Sequence, residues 1–131
     1  MQQPNKRVKT PIKIYLAKGY YNPLKIASVY KQIKNMKVEG ESFSALQSII
    51  AELEKDMADL NSEYEEIKEH LRNFTTNTIY QQVLDLYYFT GMDAREIADL
   101  FNITPRRVKT LLFTAVNAFE SYLIGKGINY Q

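Results

Sequence analysis

The sequence has no cysteine, no tryptophan and a single histidine among its 131 residues. The lack of cysteine excludes disulfide bonds and thiolate metal sites. With only one histidine, neither a histidine metal centre nor a catalytic triad is expected, and we expect no cofactor and no enzymatic activity. An apolar run of about 18 residues and an apolar signal core near the start are also missing, so we expect a cytoplasmic protein without a membrane segment.

The charged residues that the chain does have are separated by sign. Residues 1–38 contain nine lysines or arginines and no acid, whereas residues 39–72 contain ten acids and three basic residues. Residues 73–131 are neutral overall. This separation predicts either a basic arm that binds phosphate or an electrostatic match between the first two blocks.

The first block is predicted to begin as a flexible arm. Residues 1–22 form this basic N-terminal arm, because prolines interrupt its polar start and residues 13–21 fit a helix or an extended strand equally well. Asn22 followed by Pro23 is typical of a helix N-cap with proline at the first helical position. We therefore expect a helix from Pro23 to about Lys37.

The acidic block predicts one long amphipathic helix. Its apolar residues recur at steps of three and four: Phe43, Leu46, Ile50, Leu53, Met57, Leu60, Tyr64, Ile67, Leu71 and Phe74. Residues 23–74 are therefore predicted to form a helical hairpin or coiled-coil region. Charges match poorly across a parallel dimer, which favours antiparallel pairing within the chain. The rest of the long helix must be covered by the C-terminal helices or by a second subunit. A homodimer is compatible with the pairing within the chain and is also expected.

Residues 75–131 are predicted to form a helix-turn-helix DNA-binding domain. The signals that begin and end its two central helices are Asp93 with Glu96, then Asn102, then Thr104 with Pro105. Ala98 supplies the small residue at which the two helices can approach closely. A helix-turn-helix places the start of its second helix in the major groove of DNA.

Polar residues around that second helix are the candidate contacts with double-stranded DNA. They are Arg106, Arg107, Lys109, Thr110, Thr104 and Arg95. Arginine reads guanine through two hydrogen bonds, and lysine suits phosphate. Cations in the first turn of a helix oppose its dipole, so their presence there favours a functional role.

Several features weaken this prediction. Asp99 lies on the side of the first motif helix that would face DNA, and the domain carries no net positive charge to neutralise phosphates. Leu112 and Phe113 fit either the core or an interface with another helix or protomer. Dimerisation, or the arm with its cations Lys6, Arg7, Lys9 and Lys13, would supply further phosphate contacts.

From Val83 to Leu123 the chain resembles region 4 of bacterial sigma factors. The residues that carry this resemblance are Leu84, Tyr87, Tyr88, Gly91, Glu96, Ile97, Ala98, Phe101, Ile103, Thr104, Val108, Ala115 and Phe119. With an acidic helix in front, the layout is similar to phage-encoded sigma-like transcription regulators of the ArpU and RinA type.

The resemblance implies a sequence-specific transcription regulator. By this resemblance to sigma region 4, Arg106 and Thr110 occupy positions that contact bases, whereas Arg107 and Lys109 occupy positions nearer the DNA backbone. It also implies a contact with the flap of RNA polymerase.

Two other functions remain open at this point. A phage packaging protein of the small terminase type also joins a helix-turn-helix to a coiled coil, although usually in the opposite order. A protein-binding module that has lost DNA binding would explain Asp99 and the neutral domain.

Overall fold

The computed structural model describes residues 10–38 and 44–131, and these residues fold into helices without any strand. The helices are α1 (Pro11–Val38), α2 (Ser44–Asn73), α3 (Thr78–Leu84), α4 (Ala94–Phe101) and α5 (Pro105–Gly125). A π-helical turn, Asp85–Phe89, follows α3 directly. The prediction of an all-α protein is confirmed. Among the helices described, none is both long enough and apolar enough to cross a membrane.

Helix α1 begins earlier than the sequence predicted. It starts at Pro11, so the expected start at Asn22 and Pro23 is wrong, and Pro23 lies inside the helix. The Asn22 side chain does not cap a helix; it is buried and donates to the carbonyl of Leu60 and to Oε1 of Glu63, both at 3.0 Å. The contact with α2 has replaced the local capping role.

The part of the expected flexible arm that the structure describes is also helical. Ile12, Tyr15 and Leu16 are buried in the core, with at most 5% of each residue exposed. Three apolar residues within two turns give α1 a face that only tertiary packing can cover. The cations Lys6, Arg7 and Lys9 lie outside the described residues.

Helices α1 and α2 form the antiparallel hairpin that the sequence predicted. Nζ of Lys18 lies 2.7 Å from Oε2 of Glu63, and Asn22 reaches Leu60 three residues earlier in α2. Further along α1, Lys25 lines a surface groove with Asp56 and other residues of α2. Later residues of α1 therefore contact earlier residues of α2, so the two helices run antiparallel and the long helix pairs within its own chain.

A single hydrophobic core joins the hairpin to the C-terminal helices. It contains the start of α1, the end of α2 and the inner faces of α3, α4 and α5. Phe119 of α5 lies at its centre, fully buried, with its ring stacked on Tyr15 and edge-on to Phe74. The predicted hairpin region and helix-turn-helix domain therefore share their packing.

Two glycines allow α1 to lie against the turn that precedes α4. A Cβ added to Gly19 would lie 2.5 Å from the ring of Phe89. Gly91 has φ of +84°, a conformation that side chains other than glycine rarely adopt, and its Cα faces the ring of Tyr20. These contacts fix α1 beside the π-helical turn and hence beside the helix-turn-helix.

The Glu63 cluster predicts how stability depends on pH. Partial burial alone would raise the pKa of Glu63, but hydrogen bonds from Asn22 and Lys18 and the charges of Lys18 and Lys25 hold it below its usual value. A lowered folded-state pKa contributes stability above the unfolded pKa of about 4.3, and this is lost as pH falls through the folded pKa. Denaturant unfolding of the wild type and Glu63→Gln should show a difference near neutral pH that shrinks below pH of about 4. A difference that stays constant in acid would contradict the cluster's role.

Tyr15 predicts a substitution that stabilises the protein. Its hydroxyl is buried and has no hydrogen-bond partner in the described part of the chain. Burial, with the nearby charges of Glu66 and Glu63, raises its pKa to about 12. Because Tyr15→Phe keeps the ring and removes an unpaired polar group, we expect a gain of about 1 kcal/mol in the free energy of unfolding, measured by urea denaturation. Tyr130→Phe is the matched control, since it removes a hydroxyl that donates to Glu120 and should not stabilise.

Candidate nucleic-acid interface

The first helix of the motif, α4, begins with the capping box that the sequence predicted. The Asp93 carboxylate accepts from the backbone N–H of Glu96 at 2.8 Å. In return, the Glu96 carboxylate accepts from the backbone N–H of Asp93 at 3.0 Å. This reciprocal pair satisfies two backbone donors and fixes where α4 starts.

Asn102 ends α4 and turns the chain, also as predicted. It has φ of 58° and ψ of 47°, the left-handed conformation that asparagine tolerates better than most residues. The N–H of Ile103 then donates to the carbonyl of Ala98 at 3.0 Å, which closes the turn. The direction of the next helix is therefore set by hydrogen bonds within the motif.

Helix α5 begins at Pro105 after the predicted cap. The Thr104 hydroxyl accepts from the backbone N–H of Arg107 at 3.1 Å. Proline occupies the first helical position, where its missing N–H leaves no hydrogen bond unmade. Both arginines of the predicted site thus belong to a rigid, capped first turn.

Apolar contacts hold α4 and α5 together. Ile97 and Val108 are fully buried, Ala98 is 1% exposed and Leu111 is 6% exposed. The methyl side chain of Ala98 permits the close approach that the sequence predicted. With their inner faces sealed, the two helices present their remaining faces to solvent.

All six residues predicted to contact DNA are exposed, and five of them lie at or near the start of α5. The structure brings together Thr104, Arg106, Arg107, Lys109 and Thr110, whereas Arg95 lies in the first turn of α4. Among the described residues, the side chains of Arg106, Arg107 and Lys109 form no ion pair and no hydrogen bond. Their charges are therefore available to an anionic partner.

The two threonines of this set have local hydrogen bonds that the sequence did not reveal. Thr104 uses its hydroxyl oxygen as the helix cap, and Thr110 donates to the carbonyl of Arg106 at 3.2 Å. A threonine hydroxyl that donates to the preceding turn keeps its oxygen lone pairs as acceptors, beside its methyl group. Thr110 can thus offer an apolar contact or accept a hydrogen bond.

Sequence reasoning left the place of Phe113 open between the core and an interface. The structure excludes the core, because Phe113 is 71% exposed. Its neighbour Leu112 is half-buried. The exposed position agrees with helical spacing, since Phe113 lies seven residues after Arg106, on the same side of α5.

A groove lies beside α5, the helix at the position of the recognition helix in a helix-turn-helix, and involves the start of α1. About 590 Å³ of space is enclosed between the first turn of α1, the π-helical turn and the outer side of α5. Thr10 and Lys13 line it on one side, and Lys109 and Phe113 line it on the other. No local pattern predicts that the first block and α5 are neighbours, because this contact is purely tertiary.

This fold and this surface define a helix-turn-helix domain whose recognition helix starts with unpaired cations. In a comparison with protein families, residues 77–118 match region 4 of sigma-70. The match runs from the cap of α3 into the second half of α5, so the C-terminal unit is similar to sigma region 4 over most of its length. No curated protein and no solved structure matches the chain.

Proposed function

We propose that this protein is a sequence-specific DNA-binding transcription regulator of the sigma region 4-like type. The observation that carries the proposal is the capped first turn of α5, where Arg106 and Arg107 are exposed and unpaired while the inner face of the helix is sealed. Arg106 would read guanine in the major groove, and Arg107 and Lys109 would bind the adjacent phosphates. Such a protein would act in the bacterial cytoplasm, where the DNA is.

The start of α1 supplies part of the positive charge that the C-terminal unit lacks. Lys13 and Lys109 line the same groove, so the described start of α1 lies beside α5, and the basic arm precedes that point in the sequence. We propose that this basic arm follows the DNA backbone and adds phosphate contacts through Lys6, Arg7 and Lys9.

We also propose that the protein works as a homodimer. Ile49 and Tyr30 of the hairpin are 46% and 60% exposed, and the apolar seam of α2 is only half-buried before Ile67. Two copies would double the phosphate contacts of a domain with little net charge. Light-scattering mass in solution tests this step, and a ring of eight or more subunits would instead favour a DNA-packaging protein.

We also propose a type of regulator and a protein partner. The order of a long acidic helix followed by a sigma-like unit supports a regulator of the phage ArpU and RinA type. By the same resemblance, we propose the RNA polymerase flap as a protein partner. Binding of purified RNA polymerase to the immobilised protein, with and without DNA, tests that contact.

One observation favours a different function, a module that binds protein and not DNA. Asp99 is exposed on α4, and no basic residue of the described chain pairs with it. A carboxylate on that face would repel phosphate, so a DNA complex must place it over a base edge or away from the backbone.

Selection of bound duplexes from a random DNA pool at a stated salt concentration tests the proposed function. We expect a defined sequence to be enriched, with an affinity that falls steeply as salt increases. Enrichment without any sequence preference would favour a packaging role, and salt-insensitive or absent binding would favour the protein-binding module.

A further inference from the structure

Phe113 lies on the outward stripe of the recognition helix. At 100° per residue, Arg106, Thr110, Phe113 and Asn117 fall on one side of α5, and all four are exposed. The opposite side carries the buried residues Val108, Leu111, Ala115 and Phe119. Phe113 therefore continues the surface that begins with the predicted base-reading arginine.

The folded chain gives Phe113 little reason to be aromatic. Its ring makes no aromatic pair in the described part of the chain, and 71% of the residue is exposed. A large apolar side chain gains stability from burial in proportion to the area removed from water, and here that gain is mostly unused. Because the described residues leave most of the ring exposed, a bound molecule can supply its partner.

We infer that Phe113 packs against the C5-methyl group of a thymine in the major groove and so specifies T at one operator position. This inference rests on the proposed function and names a specificity determinant within it. Thymine is the base that presents a methyl group in the major groove, and phenylalanine is among the residues that contact it. Seven residues of helix span about 10 Å, so the thymine lies about three base pairs from the contact of Arg106.

Charge selects DNA over a second copy of the chain as the occupant of this face. Arg106 and Lys109 lie on the same face one to two turns before Phe113, and neither is paired. A two-fold dimer through this face would bring like charges from both copies together, which is unfavourable. A phosphate backbone on either side of a thymine satisfies the same charges.

The test replaces each thymine of the selected operator by deoxyuridine, which removes only the methyl group. At one position we expect the affinity of the wild type to fall about fourfold, as the loss of one buried methyl predicts. Phe113→Ala should bind the unmodified operator about as weakly and should be insensitive to deoxyuridine there. Ile124→Ala is the matched control, since Ile124 is an equally apolar residue of α5 with 63% exposure and should keep the full methyl dependence.

The outcomes separate this inference from the function on which it rests. Loss of operator binding on substitution of Arg106, with no coupling between Phe113 and any methyl, overturns the inference alone. A fall in mass from dimer to monomer in Phe113→Ala also overturns it, because the ring would then be a protomer contact. If no operator can be selected at all, the inference and the proposed function fail together.

Discussion

Alanine at both Arg106 and Arg107 is expected to lower affinity for the selected operator by about thirtyfold or more. A bidentate arginine–guanine contact contributes about 1–3 kcal/mol of discrimination, and a lost phosphate contact adds to this at low salt. The salt dependence should also become shallower, because fewer counterions are released. Fluorescence anisotropy with a labelled duplex over a salt series measures both effects.

The matched control is the double substitution Lys31→Ala and Lys34→Ala. It removes the same charge from two exposed positions of α1 in the hairpin, far along the chain from the motif. We expect this variant to bind nearly as well as the wild type. Equal losses of affinity in both variants would mean that DNA binding depends on the overall positive charge of the protein and not on the first turn of α5.

Folding should not explain the loss of affinity in the arginine variant. Thr104 caps α5 through the backbone N–H of residue 107, which alanine retains. Removing cations from a helix N-terminus relieves an unfavourable dipole interaction, so the variant should be as stable as the wild type or slightly more stable. A lowered free energy of unfolding would contradict the view that these side chains have no structural role.

The helix-turn-helix was predictable because its signals are local. The capping box at Asp93, the left-handed Asn102 and the Thr104 cap each depend on residues at most four positions apart. Burial of Ile97 and Val108 then followed from helical periodicity. For the same reason, the exposure of the arginine pair could be inferred without any tertiary information.

The start of α1 was not predictable because a tertiary contact overrode a local signal. Asn22 and Pro23 form a favourable helix start, but Asn22 gains two hydrogen bonds with α2 only if the helix passes through it. Pro23 itself is exposed, so the helix can pass through it without burying the proline ring. The π-helical turn at Asp85–Phe89 was not predicted either, and its Phe89 ring packs against Gly19 of α1.

The candidate site was predicted in its composition but not in its extent. The sequence predicted the cations of α5 as DNA contacts. It could not predict that Lys13 of α1 lines the same groove as Lys109. It also could not decide between core and surface for Phe113, because the helix has apolar residues around much of its circumference. Which apolar residues remain exposed depends on where α1 packs.

Phe119→Ala is expected to destabilise the protein by roughly 3–5 kcal/mol, the usual effect of removing a buried phenylalanine. Its ring centroid lies 5.3 Å from that of Phe74 and 6.4 Å from that of Tyr15, so one side chain joins α5 to α1 and to the end of α2. Because these contacts form one core, the hairpin and the helix-turn-helix should unfold in a single transition, in the wild type and in the variant. Circular dichroism and tyrosine fluorescence during denaturation should therefore report coincident midpoints.

Phe113→Ala serves as the control for this substitution, since it removes the same ring from an exposed position of the same helix. Its effect on the free energy of unfolding should be within about 0.5 kcal/mol of zero. Two separate transitions would show that the hairpin folds without the C-terminal unit. The recognition helix would then not be held by α1, and Lys13 would have no fixed position beside the proposed DNA-binding surface.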